Sequence, residues 1–216
     1  METVAVKNLG KINYESAMSA QEEEKLRVLE GKSGGCIFFL EHVPPVITLG
    51  RHCGRENILA SEEVLRRRGF SILRASRGGD ATVHEIGQLV AYFVLPVKAK
   101  TAAAFVQGIA DTAAAALNEN FATNLYYNDE AAGLWHATSA GEKKCASIGF
   151  SLSGGVSTHG MAINVCNTLE GFDFINPCGM PSQVMTTLSA LIGRRVSVEE
   201  AVAVLSAAYT AAFSAK

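Results

Sequence analysis

Apolar and polar residues alternate along the chain with two different periods, which predict short strands and a smaller number of helices. Apolar residues spaced three or four apart indicate amphipathic helices at residues 14–30, 61–68, 101–118 and 197–213. Short runs rich in β-branched and aromatic residues indicate strands at residues 36–40, 46–49, 70–75, 89–95, 124–127, 133–137, 145–152 and 156–165. Because strands and helices follow one another irregularly, we expect an α+β fold with a mixed central β-sheet and flanking helices.

The last two predicted strands should form a hairpin around Gly154-Gly155. The hairpin would bring residues 147–149 opposite residues 158–162. Glycines at 149 and 160 leave bare backbone, against which a long apolar group could lie. His159 is a polar residue in this apolar strand, and a lone strand histidine is more often structural than functional.

Composition limits the classes of function. The chain has 216 residues and 48% hydrophobic content, which suits a single domain over residues 1–216. A net charge of −2 gives no general positive field for nucleic acid. Five cysteines without a CxxC pair favour reduced thiols over a disulfide framework. The amino terminus lacks the pattern of a signal peptide, and the longest apolar run, 89–97, is too short for a membrane span. We therefore expect a cytoplasmic protein.

A glycine-containing segment after a predicted strand is a candidate ligand site. It reads Arg77-Gly78-Gly79-Asp80-Ala81-Thr82-Val83-His84. Two glycines allow the backbone to approach a ligand closely, and Arg77 could hold an anion. A hairpin turn with satisfied polar ends explains the segment equally well, so both interpretations stay open. Two other patterns are weaker: Gly31-Lys32-Ser33 lacks the first glycine of a phosphate-binding loop, and His52-Cys53 lacks a second ligand pair for a metal.

Lys144 and Cys178 are the residues best suited to thiol chemistry. Cys178 lies between Pro177 and Gly179, in a context typical of a tight turn that can face a cleft. A nearby ammonium would raise the thiolate fraction of a cysteine whose ordinary pKa is about 8.5. Cys145 follows Lys144 in a strand and should face the opposite way. Backbone N–H groups at residues 178–179 or 77–79 are candidate donors to an oxyanion.

Several motifs, taken in order over residues 9–195, resemble the lipoyl(octanoyl) transferases, which are related to the biotin and lipoate protein ligases. Each motif alone is weak, but the ordered set is specific. They are Thr48-Leu49-Gly50-Arg51, Arg77-Gly78-Gly79 through Thr82, His84 with Gly87-Gln88, Gly133-Leu134-Trp135, residues 144–149, residues 159–165 and Pro177-Cys178-Gly179.

The resemblance implies a biotin/lipoate protein ligase-like fold and an acyltransferase that catalyses the first step of endogenous protein lipoylation. By similarity, Cys178 carries the octanoyl thioester and Lys144 lowers the pKa of its thiol. The residues implied to bind substrate are Arg77, Gly78, Gly79, Asp80, Ala81, Thr82, Val83, His84, Ser147, Ile148, Gly149, His159, Gly160, Met161 and Ala162.

The resemblance also implies the partners. The donor is octanoyl-acyl carrier protein, and the acceptors are lysines of the lipoyl domains of 2-oxoacid dehydrogenases and of the glycine-cleavage H protein. No cofactor and no metal are expected, and we expect a monomer. The chain departs from the usual family pattern at Val83 and at Glu85-Ile86, where tyrosine and Gly-Pro are common. The carboxylates of Glu85 and Asp80 are unexpected beside a site for an apolar acyl chain.

Four alternative functions remain open from the sequence. A lipoate- or biotin-type ligase would form an acyl-adenylate from ATP and would not need Cys178. An amidotransferase would keep the cysteine but take octanoyl from another lipoyl domain. A cysteine hydrolase would use Cys178 with His159 and release free acid to water. A non-catalytic acyl-binding module would use the cavity without the thiol.

Overall fold

The protein was analysed as a computed structural model, which describes residues 3–98, 101–139 and 141–214, apart from the side chains of Arg55 and Cys178. Within these ranges, no helix is long and apolar enough to cross a bilayer.

A seven-stranded mixed sheet forms the centre of the fold. Its strands are β1 (Ala5–Ile12), β2 (Cys36–His42), β6 (Gln88–Val94), β7 (Leu125–Asn128), β8 (Gly133–Thr138), β9 (Gly141–Ser153) and β10 (Val156–Asn164). Their order across the sheet is β1-β2-β6-β10-β9-β8-β7. The pair β1–β2 is parallel, and the other neighbours are antiparallel.

A second, three-stranded sheet lies beside the central one. Its strands are β3 (Val46–Leu49), β4 (Ser71–Arg74) and β5 (Ala81–His84) in the order β4-β3-β5. The predicted segment 77–88 therefore contains a strand of its own. Four short 3₁₀ turns flank this sheet or follow it in the chain: Arg55–Asn57, Glu170–Phe174, Pro177–Gly179 and Ser182–Val184.

Helices cover both faces of the central sheet. The helices are α1 (Tyr14–Leu29), α2 (Glu62–Arg67), α3 (Ala102–Phe121), α4 (Leu188–Ile192) and α5 (Val198–Ser214). In β2, Ile37 and Phe39 point to the core under α3 and α5, whereas Phe38 and Leu40 face the α1 side. This strand is buried on both faces, which explains its continuous apolar run.

The sequence signals for helix starts match the structure. The side chains of Asn13, Ser61 and Thr101 cap the first turns of α1, α2 and α3. Ser197 and Glu200 exchange reciprocal hydrogen bonds of 3.1 and 2.7 Å at the start of α5, so the predicted capping box is confirmed.

Strand β1 was not predicted. Its sequence, AVKNLGKI, is interrupted by lysine, asparagine and glycine, and most of its residues are exposed. It is the edge strand of the sheet, and an edge strand needs only one half-buried face. The hydrophobic pattern is correspondingly weak.

Candidate active site

A cavity of about 310 Å³ lies between the two sheets and falls at the lower end of the range for small-molecule sites. Much of its wall comes from β5 with the turn before it, the middle of β9 and the middle of β10. Residues of α1, β3, β6 and two loops complete it. The predicted substrate residues that line it are Arg77, Gly79, Asp80, Ala81, Thr82, His84, Ser147, Ile148, Gly149, His159, Gly160, Met161 and Ala162. Gly78 and Val83 are not part of its lining.

The hairpin register accounts for two of these walls. Ser147, Ile148 and Gly149 of β9 pair with Ala162, Met161 and Gly160 of β10. This is the register predicted from Gly154-Gly155, so the predicted hairpin is confirmed. The paired glycines 149 and 160 leave bare backbone on the cavity wall.

Arg77 is a buried cation held at the junction of the two sheets. Its Nη2 donates to the carbonyl oxygen and the hydroxyl of Thr48 at 2.7 and 2.8 Å, and its Nε donates to the same hydroxyl at 3.3 Å. Its Nη1 donates to the carbonyl oxygen of Gly78 at 3.1 Å. Because these bonds fix a planar fork, the guanidinium has a defined position at the cavity.

The Gly78 turn packs directly on strand β9. The N–H of Gly78 donates to the carbonyl oxygen of Phe150 at 2.8 Å. A Cβ atom at Gly149 would lie 2.9 Å from the carbonyl oxygen of Gly78, which explains why glycine stands there. The Gly78 amide is therefore already bonded, and it is a poor choice for the oxyanion donor suggested by the sequence.

Strand alternation separates the residues of β5. Thr82 and His84 face the cavity, and the Thr82 hydroxyl is buried without a hydrogen-bond partner among the described residues. A buried hydroxyl of this kind is available to a ligand. Val83 is fully buried on the opposite face, in the apolar cluster with Phe172 and Ile175. The departure from the family pattern at Val83 therefore alters the core beneath the site.

The two unexpected carboxylates make defined contacts. Glu85 is buried and accepts hydrogen bonds from Asn167 and from the backbone of Leu169 and Gly171. Asp80 lines the cavity, but its carboxylate accepts from the side chain of Asn57 at 2.5 Å and from the Ala81 N–H at 2.7 Å. Both charges thus have hydrogen-bond donors in the protein.

Two histidines of the cavity wall, His84 and His159, are neutral in the folded protein, as is His42 beside His84. Burial lowers the pKa of His42 to about 4, and burial together with the Arg77 charge lowers the pKa of His159 to about 4. The pKa of His84 is well below its ordinary value, mainly because of burial, with smaller electrostatic contributions from His42 and Arg77. Near neutral pH these rings are therefore acceptors and neutral donors, not acids.

Hydrogen bonds hold these rings in place. His42 Nε2 and the Tyr92 hydroxyl lie 2.7 Å apart, and His84 Nδ1 lies 2.9 Å from Gln88 Oε1. His159 Nε2 lies 3.0 Å from the Ser76 hydroxyl.

His159 adopts an unusual backbone conformation for a strand residue. Its φ angle is +60°, in the left-handed region that few residues other than glycine enter, histidine being one of the more frequent. Its N–H donates to Oε1 of the buried Gln21 on α1 at 2.6 Å. His159 lines the cavity in this conformation, and its functional role stays a prediction.

Lys144 is completely buried and is not itself a lining residue of the cavity, but it contacts one. Its Nζ donates to the carbonyl oxygen of Ala131, a lining residue, at 2.9 Å and lies 5.4 Å from the centre of the Trp135 ring. Gly133 makes room for it, since a Cβ atom there would lie 2.5 Å from Lys144 Cε. The neighbouring Cys145 points into the core under α3 and α5, so the predicted opposite orientation is confirmed.

The backbone of Cys178 lies in the Pro177–Gly179 turn, whereas its side chain lies outside the described part of the structure. The turn packs beside β5. Met185, seven residues further along, forms a parallel β-bridge with Lys144. This bridge brings the cysteine-bearing segment to the strand of the lysine, but the proximity of the two side chains stays a prediction. The Gly179 N–H donates to Asn176 O at 3.1 Å and is not free for an oxyanion.

The four described cysteines have features of inert thiols. Burial is the main cause in each case: it raises the pKa of Cys36 to about 11 and those of Cys53 and Cys145 to about 12, and it also raises the pKa of Cys166.

Sequence reasoning missed several residues of the cavity wall, namely Tyr14, Val90, Tyr92, Glu130, Ala131 and Ala132. A usable signal existed for two of them. Gln88, Val90 and Tyr92 alternate along β6 with the core residues of that strand, so they share one face. No group of three or more His, Cys, Asp or Glu residues suited to a metal ion occurs among the described residues.

Comparison with known proteins supports the same interpretation. The profile of the lipoyl protein ligase A/B catalytic domain matches residues 13–210. The chain belongs to this family. An octanoyltransferase from Solibacter usitatus is 35% identical over 202 residues, which cover 93% of this chain and 88% of that protein. The predicted resemblance to the lipoyl(octanoyl) transferases and the prediction of an acyltransferase are thereby confirmed.

Two solved structures share the fold of this chain. A bipartite lipoate protein ligase from Thermoplasma acidophilum superposes with a TM-score of 0.73 at 14% identity, covering 98% of this chain and 84% of that one. A biotin protein ligase from Aquifex aeolicus superposes with a TM-score of 0.51 at 12% identity, and the match covers 100% of this chain and 71% of that one. The predicted biotin/lipoate protein ligase-like α+β fold is confirmed.

Proposed function

We propose that this enzyme transfers an octanoyl group from acyl carrier protein to a specific lysine of a lipoyl domain through a thioester on Cys178. The observation that supports this most is the convergence of three motif segments on one cavity, with buried Lys144 bonded to the lining residue Ala131. The octanoyltransferase name of the Solibacter usitatus relative supports the choice of acyl group.

In the first half-reaction the Cys178 thiolate attacks the thioester carbonyl carbon of the donor. The carbon–sulfur bond to the carrier breaks, and the departing carrier thiolate takes a proton. In the second half-reaction the acceptor lysine amine attacks the Cys178 thioester, releases the Cys178 thiolate and loses a proton. We assign both proton transfers to Lys144, because the three histidines are neutral and have lowered pKa values.

The cavity walls suit an acyl chain with a polar head. Val90 and Ala162 on the α1 side of the sheet supply apolar surface, and the bare backbone at Gly149 adds more. Arg77 and the Thr82 hydroxyl supply polar groups at the same cavity. An exchange of thioester for thioester and then for amide needs no nucleotide, so we propose that the reaction uses no cofactor or metal. We also propose that the protein is a cytoplasmic monomer.

The decisive experiment is intact-mass spectrometry of the enzyme mixed with octanoyl-acyl carrier protein in the absence of ATP. We expect an octanoyl adduct on the parent chain and its loss when an acceptor lipoyl domain is added. Cys178→Ser should form no thioester. The matched control Cys166→Ser should keep the adduct, because burial raises the pKa of Cys166 and this thiol has no role in the mechanism.

Other outcomes would identify a different function. Modified lipoyl domain formed only with ATP would indicate a ligase, and an adduct formed only from an octanoylated lipoyl domain would indicate an amidotransferase. Free octanoate released at an unchanged rate without acceptor would indicate a hydrolase. Full turnover by Cys178→Ser would remove the covalent mechanism.

A further inference from the structure

Two carboxylates, Asp80 and Glu85, flank strand β5 at opposite ends. The segment from residue 167 to residue 179 runs beside this strand and carries the Pro177–Gly179 turn. Each carboxylate is connected to this segment by hydrogen bonds, one directly and one through an asparagine. The Glu85 contact does not follow from the family resemblance, because Glu85 stands where glycine is usual. The Asp80 carboxylate was likewise unexpected from the sequence.

Glu85 holds the beginning of the segment. Its Oε1 accepts from Asn167 Nδ2 and from the Leu169 N–H, both at 2.9 Å, and its Oε2 accepts from the Gly171 N–H at 3.3 Å. Glu85 itself is 7% exposed. Hydrogen bonds to a buried carboxylate are stronger than neutral ones. The chain also packs tightly here, since a Cβ atom at Gly171 would lie 2.5 Å from the Val83 side chain.

Asp80 holds the end of the segment through Asn57. The Asp80 carboxylate accepts from Asn57 Nδ2 at 2.5 Å. The carbonyl oxygen of Asn57 in turn accepts from the Asn176 N–H at 2.9 Å. Asn176 is two residues before Cys178 and directly precedes the turn.

We propose that Glu85 and Asn57 are positioning residues that fix the Pro177–Gly179 turn against β5. The proposal rests on the role of Cys178 proposed above. Neither side chain lines the cavity, so both act through the backbone that carries the cysteine. Loosening either contact should let Cys178 move away from Lys144, which lowers the thiolate fraction without altering the acyl-binding walls.

The test measures the alkylation rate of Cys178 by iodoacetamide from pH 6 to pH 10, with the modified peptide quantified by mass spectrometry. The high pKa values of the four described thiols keep their background small. For Glu85→Ala and Asn57→Ala we expect a midpoint about one pH unit higher, which is a tenfold lower thiolate fraction near neutral pH. Glu85→Gln keeps the Oε1 acceptor and should shift the midpoint less.

Acyl transfer gives a second readout. We expect the Glu85 and Asn57 variants to lower kcat about tenfold with little change in KM for the donor. The control is Glu24→Gln, because Glu24 is also buried but lies on α1, where it bonds to Ser33 and Arg27. Thermal unfolding shows whether each variant folds. If Glu85→Ala does not fold, the pair Glu85→Gln and Asn57→Ala is enough for the test.

Three results would overturn the proposal. The first is an alkylation midpoint that stays within 0.3 pH unit of the parent value (about a twofold change in thiolate fraction) in both Glu85→Gln and Asn57→Ala. The second is an equal midpoint shift in the control Glu24→Gln, and the third is a rise in KM with unchanged kcat. The alkylation assay uses no acyl donor. Shifted midpoints in a protein that forms no octanoyl adduct would therefore support the positioning role and contradict the proposed function. Unshifted midpoints in an enzyme that forms the octanoyl adduct would support the proposed function and contradict the positioning role.

Discussion

Acidification should destabilise this protein through its three buried histidines. Each imidazole is neutral in the folded state, and its pKa is lowered mainly by burial. In the unfolded chain each pKa returns to about 6.5. Unfolding therefore takes up protons as the pH falls below about 6.5, and the folded state loses stability until the folded pKa of about 4 is reached.

The size of the effect follows from the two histidines with defined values. For His42 and His159, a pKa of about 4 in the folded state against about 6.5 unfolded costs about 2 kcal/mol each between pH 7.5 and pH 5. Both residues are at most 5% exposed, so solvent screening is small. His84 adds a loss in the same direction. A total of about 4 kcal/mol or more is a large part of the 5–15 kcal/mol typical of a folded domain.

Urea unfolding at pH 7.5, 6.5, 5.5 and 5.0 measures this loss. We expect the free energy of unfolding to fall by about 1.4 kcal/mol per pH unit for each histidine that takes up a proton. His42→Phe keeps a ring of similar size but loses the contact with Tyr92, and it should reduce the slope by one proton. His52→Gln is the matched control, because His52 is exposed and its ring stays in water in both states.

A free energy of unfolding that stays constant between pH 7.5 and pH 5 would refute this reasoning. Equal reductions of the slope in His42→Phe and His52→Gln would refute the assignment to burial.

Three further substitutions test the site. Gly133→Ala should lower turnover at least tenfold, because the new Cβ atom would lie 2.2 Å from the carbonyl oxygen of Ala146 and 2.5 Å from Lys144 Cε, and would shift the lysine or its strand; a steady-state assay checks this, with circular dichroism to show that the variant folds. Lys144→Met should lower the rate of acyl-enzyme formation by about a hundredfold or more with the fold retained, as measured by quenched-flow mass spectrometry and circular dichroism. Gln21→Ala should reduce stability by about 1–3 kcal/mol by leaving the buried His159 N–H unpaired, as measured by urea unfolding, with Gln183→Ala as an exposed control.

The sequence predicts most of the central sheet, because β2 and β6 are buried runs that are largely apolar and the other strands are short β-rich runs. Strand β2 is buried on both faces, and the hairpin of β9 and β10 is marked by Gly154-Gly155. The edge strand β1 and the short strand β5 carry no comparable signal. Strand β5 has only four residues, Ala81–His84, and its pairing with β3 depends on packing that a local pattern does not contain.

The motifs that contribute to the cavity wall could be predicted from the sequence, whereas the other wall residues could not. Glycine and histidine motifs indicated β5, β9 and β10, since these residue types are unusual in apolar strands. Tyr14 and Ala131 lie in segments with no such marker, and only the tertiary fold brings them to the cavity. The contacts of Glu85 were likewise hidden, because a carboxylate bonded to backbone N–H groups of residues 169 and 171 depends on the path of a distant segment.

The arrangement of charge around the cavity supports thiolate chemistry over a broad pH range. Arg77 is permanently charged and lies at the cavity, whereas the Asp80 and Glu85 carboxylates bond to Asn57 and to residues 167–171. The histidines stay neutral down to about pH 5 because of their lowered pKa values. The positive charge that Arg77 brings to the cavity therefore does not depend on a group that titrates near neutral pH. It follows that the pH dependence of acyl transfer above about pH 6 should report the Cys178 thiol and the amines that exchange protons with it.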